Sequence, residues 1–507
     1  MIFLVLISSI VFIFALIYLT GVYYEYYWKK RGVTFYQEHK FLGPLWNFVT
    51  QDKAMFEHFV DIYKKFPKET AVGVGNMFTP ALYVIDPTNV QYITQTDFHS
   101  FNHRGFSVND DDKLGQIILL SSGAKWKLVR QNMTPLFTAA KLKNMFYIVD
   151  KSAQDFIDFL NKYPEKQKKN AYDSLNEFCC AAIAAAVFGI GTESTFESPF
   201  LDIARAAVRP STWTNIKFVI NNLIPTITKV FGLTVFPVSE KFFIKAIKQV
   251  IKQRQQDNVK KHDFVDLCVN LQKNGKMIDS DTGLQMEPTD ELLAAQAFFF
   301  FIAGVEPTAT AMFSSLIAMG NNPEIQRKVQ EEIDSTFEKC NGNLTYDAVY
   351  EMEYLEKVLS EGLRMYPPIG YLTRKCVKDT VLPVGNIKVS KGTQIFFPTF
   401  EYHHDPKYFT NPEVFDPERF SSDTKGGNIN TYLPFGKGGR ICIGLRYARL
   451  QAKTGLVYIL RNFNVKTKVD INGIKYTNLT PNLFTFLLKK KKSRQMVNMS
   501  NFPRLKC

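Results

Sequence analysis

The chain has 507 residues, 46% of them hydrophobic and 14% aromatic, enough apolar material for a large core and too much for a disordered or low-complexity protein. Its formal net charge of +14 suits nucleic acid, an acidic protein or an anionic membrane surface, but only the tail Lys489–Arg494 speaks for nucleic acid, and it reads better as a solvated strand end. Seven cysteines, an odd number without metal-site pairing, exclude a disulfide framework and agree with a reducing compartment.

Met1 to Val22 contains no charged residue and is followed by Tyr23, Tyr24, Tyr26, Tyr27 and Trp28, then by Lys29, Lys30 and Arg31. About 20 apolar residues cross hydrocarbon, aromatic rings settle at headgroup level and basic residues stay cytoplasmic. No basic residue precedes the run and no small-x-small cleavage site follows it, so an uncleaved transmembrane anchor over residues 1–28 is expected in place of a removed signal peptide. No Gly/Ser-rich or proline-rich linker divides the remainder after Gly43 and Pro44, which predicts one catalytic domain over residues 29–507, on the cytosolic side.

Trp126 and Arg130 in WKLVR are four apart, so an indole N–H and a guanidinium share one helix face. Thr289 to Gly320 predict a helix of about 30 residues, roughly 45 Å long, opened by Asp290 and Glu291 and closed before Asn321, Asn322 and Pro323. Being apolar nearly all round, it should run buried across the domain and wall an internal site. Pro307 in its middle removes a donor and presses on the carbonyl four residues back, at a cost of about 3 kcal/mol. A break or bend with a local purpose is therefore expected there. Glu361 and Arg364 in EGLRMYPP share a helix face, and Arg419 follows in PERF. In PFGKGGRICIG, Gly436, Gly438 and Gly439 let the backbone fold round Cys442, and Gly444 opens the helical stretch Leu445 to Leu460. A helix N-terminus and the cation of Arg440 favour a charged sulfur at Cys442.

Phe435, Gly438, Arg440, Cys442 and Gly444 match F-x-x-G-x-R-x-C-x-G, and through them the chain resembles the haem-thiolate monooxygenases, the cytochromes P-450, over roughly residues 30 to 500. The resemblance implies a mostly α fold with small β-sheets, in which haem b (iron protoporphyrin IX) lies between a long distal helix and a proximal cysteine loop. Cys442 would be the axial iron ligand, with Phe435 beside it. Glu361, Arg364 and Arg419 would form an architectural charge network. Trp126, Arg130, Arg374, Arg440 and Arg104 fall where the family contacts the haem propionates. Ala303, Gly304, Glu306 and Thr308 fall on A-G-x-[DE]-T-[TS], the segment over the distal face of the haem; the family's usual threonine is Pro307 here. The bend would be kept and the hydroxyl lost, leaving Glu306 and Thr308 to deliver protons.

Phrases such as EYLEKVLSEGLRMYPP and HHDPKYFTNPEVFDPERF resemble the animal microsomal branch, especially its insect members. The resemblance implies insertion of one atom of dioxygen into lipophilic substrates such as xenobiotics, plant toxins, endogenous lipids or hormones. The chain has no G-x-G-x-x-G fingerprint, so electrons are expected from NADPH through a flavoprotein reductase, with cytochrome b5 as a further partner, at the endoplasmic reticulum membrane. Pro307 keeps open an alternative, a haem-thiolate peroxide isomerase or dehydratase that needs no reductase. By analogy of position, the pocket draws on Phe101–Asp112, Leu201–Phe236, Phe298–Ala303, Ile369–Thr373 and Leu483–Phe486, with an apolar surface between Trp213 and Phe231 entering the bilayer. One departure within the loop is Gly439, where a proline is common.

Overall fold

Helix α1, Ile2–Lys29, contains no proline and no charged residue before Glu25, which pairs with Lys29 one turn on at 2.7 Å. The computed structural model describes residues 2–38, 55–75, 79–106, 109, 111–163, 171–189, 196, 217, 234, 237–257, 260–421 and 430–467. Strand β1, Phe35–Tyr36, follows, then helix α2, Met55–Lys65, and strands β2, Ala71–Val74, and β3, Ala81–Val84. Helices α3, Gly123–Met133, α4, Ala139–Lys162, and α5, Ala171–Phe188, lead to the longest element, α6, Asp290–Asn321. After α7, Glu353–Met365, come strand β4, Tyr371–Lys375, the hairpin of β5, Thr380–Leu382, and β6, Ile387–Val389, and strand β7, Gln394–Pro398. Short helix α8, Phe400–His404, and helix α9, Leu445–Asn462, complete the elements used below.

The fold is mostly helical, as expected, with one five-stranded sheet in the order β1-β2-β3-β7-β4. Strand β3 runs parallel to β7 and β4 antiparallel to it, with Tyr83 opposite Phe396 and Arg374 opposite Ile395. Helix α2 covers this sheet with Phe56, Phe59 and Ile62, and the Phe59 ring stacks on Tyr83 at 4.8 Å.

Helix α6 starts one residue past the expected Thr289, which caps it: the Thr289 hydroxyl accepts the Leu292 N–H at 3.2 Å, and Asp290 and Glu291 occupy the positive end of the helix. It ends one residue beyond Gly320. Pro307 does not break it; the helix continues through the proline as one element. Both α1 (Ile7–Lys29) and α6 are long and apolar enough to cross a bilayer, but 72% of α6 is buried inside the protein against 7% of α1. Burial decides their solvents: α6 is a core helix, and α1 leaves its apolar surface outside.

Glu401 in α8 is buried beneath α2 and accepts the Tyr83 hydroxyl at 2.9 Å. Burial pushes its carboxyl from 4.5 up to about 8. Between these values the unfolded chain is ionised at Glu401 and the folded chain is not, so folding takes up a proton. Stability should therefore fall by about 1.4 kcal/mol per pH unit on this account as pH rises through that window, and level off above it. Glu401→Gln should flatten that slope in thermal unfolding followed against pH, and an unchanged slope would assign the effect elsewhere.

Candidate active site

The loop that presents Cys442 is held from behind by a buried charge network. Glu361 and Arg364 are both fully buried, and Arg364 meets the carboxylate with two bonds, Nε to Oε2 at 2.7 Å and Nη2 to Oε1 at 2.8 Å. Arg419 Nε and the Asp416 N–H add bonds to Oε1 at 3.2 and 3.0 Å. Arg364 also donates to the carbonyls of His403 and Pro412, both at 2.7 Å. His403 passes the constraint on: its Nε2 accepts the Leu433 N–H at 2.9 Å while Nδ1 faces the Arg364 carbonyl at 3.1 Å. Those partners require a neutral ring protonated on Nδ1, which agrees with burial driving its pKa well below the ordinary value. Leu433 immediately precedes the cysteine loop.

Inside the loop, the Cys442 N–H bonds the Phe435 carbonyl at 2.9 Å and Gly436 closes on Leu433 at 3.0 Å. Gly438 has φ 70°, and a Cβ there would lie 1.7 Å from the Thr94 carbonyl oxygen, so no other residue fits. At Gly439 a Cβ would meet the Phe98 ring at 2.7 Å; Phe98 fills the space that a larger residue would need. The expected departure at 439 is thus matched by an aromatic ring across from it.

Cys442 shows surface, yet protein encloses it, because the surface it shows is cavity wall. The Gly444 N–H at the expected helix start favours its thiolate, and so do Arg104 and Arg130 in place of the expected Arg440, but burial outweighs them and pushes the free thiol up. In the protein alone burial thus favours the thiol, and a bound metal would hold the sulfur as the thiolate.

The same cavity brings together Trp126, Arg104, Arg130, Arg374, Arg440 and Phe435 on its loop side and Ala303, Gly304, Pro307 and Thr308 of α6 opposite. Arg440 stacks 4.2 Å over Trp126 and spends three N–H groups on the carbonyls of Asn102, Ile118 and Ser121, so it acts as a brace as well as a cation. Arg104 Nη2 bonds the Arg440 carbonyl at 2.9 Å, and Arg130 Nη1 bonds that of Ile441 at 2.8 Å. None of these four arginines forms a salt bridge among the described residues. Arg374 is 1% exposed and its Nε has no partner. Burial, and after it the neighbouring guanidiniums, depress Arg374 and Arg440. Since arginine does not give up its proton in proteins, that strain calls for an anion.

Thr308 reaches the cavity wall and its hydroxyl makes no hydrogen bond to a described residue. Glu306 does not line the cavity. It neighbours Tyr172, whose hydroxyl is pushed up by burial first and the Glu306 charge second, and which meets Thr310 Oγ1 at 3.2 Å. Of the expected pocket segments, Phe298–Ala303 contributes Phe299, Phe300, Ile302 and Ala303, Ile369–Thr373 contributes Ile369 and Leu372, and Phe101–Asp112 contributes Arg104. Leu483–Phe486 and, apart from Lys217 and Thr234, Leu201–Phe236 lie outside the described residues. Ile118, Leu119, Phe137 and Ile183 line the wall without having been anticipated, as do Leu359, Leu363 and Tyr447. His403 and Phe98 were also missed, because each acts through one contact with a backbone or a glycine remote in sequence.

A cysteine on a glycine loop, facing an apolar helix across a cavity ringed by unpaired guanidiniums, is the layout of a haem-thiolate enzyme. The haem fits on the structure's own terms: the orphaned Nε of Arg374 and four cations, Arg374 and Arg440 buried and Arg104 and Arg130 partly so, with no acid paired to them among the described residues, match a flat apolar group bearing two carboxylates. The family model described as Cytochrome P450 matches residues 35–494. Cytochrome P450 6B2 of Helicoverpa armigera is 34% identical over 446 residues, covering 87% of this chain and 88% of the relative. Cytochrome P450 6a2 of Drosophila melanogaster is 33% identical over 454 residues (87% and 89%), and Cytochrome P450 9e2 of Blattella germanica 30% over 489 residues (90% and 91%). The chain belongs to the cytochrome P-450 family and is a haem monooxygenase of its insect type.

Gly438→Ala should displace the cysteine loop, because 1.7 Å to the Thr94 oxygen cannot be absorbed by a side-chain shift. Overpacking at a left-handed position predicts a loss of roughly 2 kcal/mol or more. A lowered ratio of haem to protein absorbance and a lower Tm would show it; full haem content at wild-type Tm would not fit the geometry.

Proposed function

We propose that this enzyme binds haem b through Cys442 and oxidises lipophilic substrates (xenobiotics, plant toxins, or endogenous lipids and hormones) at the endoplasmic reticulum membrane. Its catalytic domain faces the cytosol, and NADPH supplies electrons through a flavoprotein reductase, with cytochrome b5 as a further donor. The observation that carries the reading is the set of four unpaired arginines around the Cys442 cavity. Bound there, the haem supplies dioxygen activation and transfer of one oxygen atom.

The chain's own residues divide the remaining work. Cys442 would hold the haem iron through its sulfur, which the Gly444 N–H steadies. Arg104, Arg130, Arg374 and the Trp126 indole would hold the propionates, while Arg440 braces the ring of carbonyls behind them. Phe299, Phe300, Ile302 and Ala303 give an apolar wall that excludes water and accepts a lipophilic substrate. Thr308 presents a hydroxyl at the distal wall that can pass a proton, whereas Glu306, turned toward Tyr172, can supply one only through water.

Reduced membranes treated with carbon monoxide should show the long-wavelength band of thiolate-ligated haem, and Cys442→Ala should abolish it; a wild-type protein without that band would sink the assignment. The alternative, a peroxide isomerase or dehydratase, is favoured by Pro307 at the usual threonine position. It predicts turnover with a hydroperoxide alone and none with NADPH and reductase. Because Thr308 lies on the cavity, Thr308→Ala should raise peroxide released per NADPH several-fold, with Glu306→Gln raising it less and Pro307→Thr changing it little. The reverse ranking, with improved coupling in Pro307→Thr, would show that the proline itself costs protons.

A further inference from the structure

The segment that brings Arg104 to the cavity belongs to no helix or strand of its own and is stitched to the outer edge of β4, the last strand of the sheet. The Lys375 N–H bonds the His103 carbonyl at 2.7 Å in an antiparallel bridge, and Thr373 Oγ1 donates to the Arg104 carbonyl at 2.8 Å. The Val377 N–H, between β4 and the β5–β6 hairpin, bonds the Ser100 carbonyl at 2.8 Å. Residues 100–104 thus cover polar backbone groups that an edge strand would otherwise expose.

The bridge between His103 and Lys375 sets the next residue, Arg104, across from Arg374, and facing side chains of an antiparallel pair share one side. Both line the Cys442 cavity, and the Arg104 charge adds to burial in depressing Arg374. Like charges placed so repel each other. Two features keep Arg104 from turning away. Gly105 has φ 89°, a conformation that favours glycine, and the Gln394 side chain of β7 fills the place a Cβ would take. His103 Nδ1 accepts the Gly105 N–H at 2.7 Å, which closes a turn over Arg104. The same turn leaves Arg104 Nη2 on the Arg440 carbonyl, two residues before Cys442. An imidazolium has no lone pair for the Gly105 bond; burial, and after it Lys375 and Arg440, lower the ring from 6.5 to about 4, so it stays an acceptor at neutral pH.

We propose that His103 is a positioning residue for haem binding: its ring closes the turn that holds the Arg104 guanidinium beside Arg374, so that both cations are set for a haem carboxylate. The proposal rests on the haem reading of the Cys442 cavity. The ring is not part of the cavity wall and acts through the Gly105 amide alone. Its loss should weaken haem binding about five-fold, the usual weight of one neutral hydrogen bond, and leave the axial ligand as it is. Asparagine can accept an N–H two residues on through its side-chain carbonyl and should replace the ring, whereas leucine fills space without an acceptor.

The rate at which the full-length holoprotein gives up haem to excess apomyoglobin tests this. His103→Leu should lose haem about five-fold faster than the wild type while keeping the carbon monoxide band of thiolate ligation, and His103→Asn should lose it at close to the wild-type rate. Arg104→Gln supplies the reference: because the ring acts through Arg104, adding His103→Leu to it should make haem loss no faster than Arg104→Gln alone. Unchanged haem loss in His103→Leu, no rescue by asparagine, or additive effects in the double variant overturns the proposal while leaving the haem site in place. So does a His103→Leu chain that takes up no haem where Arg104→Gln takes it up, since the ring would then serve the fold and not Arg104. A wild-type chain that holds no haem removes the haem reading and the proposal together.

Discussion

One buried carboxylate governs the geometry of this protein. Glu361 has no solvent exposure, and an ionised carboxylate there is tolerable only if every lone pair is met. Arg364, Arg419 and the Asp416 amide meet it, and Arg364 must in turn satisfy its remaining N–H groups on the carbonyls of His403 and Pro412. Segments more than 50 residues apart thereby have one permitted arrangement. Through His403 that arrangement fixes Leu433, and through Leu433 the start of the cysteine loop. The network's contribution is specification of position more than net stability, since desolvating such ions offsets much of their attraction.

The opposite imbalance stands on the other side of the loop. Around Cys442 the protein buries cations that pair with no acid among the described residues, so the desolvation cost that is met internally at Glu361 is left there for a ligand to meet. The two sites work as a pair. A rigid, self-satisfied network behind the loop keeps the unsatisfied one open and in register, where a flexible loop would let the arginines turn to solvent. The thiol follows the same logic: burial keeps it protonated until a metal binds, although the local amide and cations already favour the charged form.

What the sequence made legible was whatever repeats with a local period or sits in a short motif. The limits of α6 followed from Thr289, the acids after it and the Asn-Asn-Pro beyond its end, and the helix is off by one residue at each end. The cysteine loop was likewise readable because residue type and spacing carry its chemistry, whereas the Glu361 network and the converging arginines were readable through the resemblance of their motifs to the family. His403 and Phe98 were not. Each acts on a partner distant in sequence, through a backbone amide or the missing Cβ of a glycine, and such contacts leave no mark on composition or periodicity. Tyr83 and Glu401 escaped for a related reason, since a hydrogen bond across 318 positions gives neither residue a distinctive neighbourhood. The direction of Thr308 was undecidable because one residue's rotation round a proline-bearing helix depends on how the helix packs.

That rotation now bears on the chemistry. Pro307 cannot donate to the Ala303 carbonyl, and both residues lie on the cavity wall with Thr308, so the helix presents an acceptor without its usual donor beside a hydroxyl without a partner. A water at that point would bond both groups. Glu306 lies round the helix beside Tyr172 and Thr310, where the Thr310 hydroxyl bonds the Glu306 carbonyl at 2.9 Å and fixes that turn. The acid and the hydroxyl are thus separated by the helix itself, and the proline weakens the backbone between them at the place where water would have to pass. A residue that costs a helix about 3 kcal/mol persists when surrounding packing holds it, and here α6 is buried on both sides of it. The packing that tolerates Pro307 is therefore also what holds the Ala303 carbonyl and the Thr308 hydroxyl together in one turn of α6.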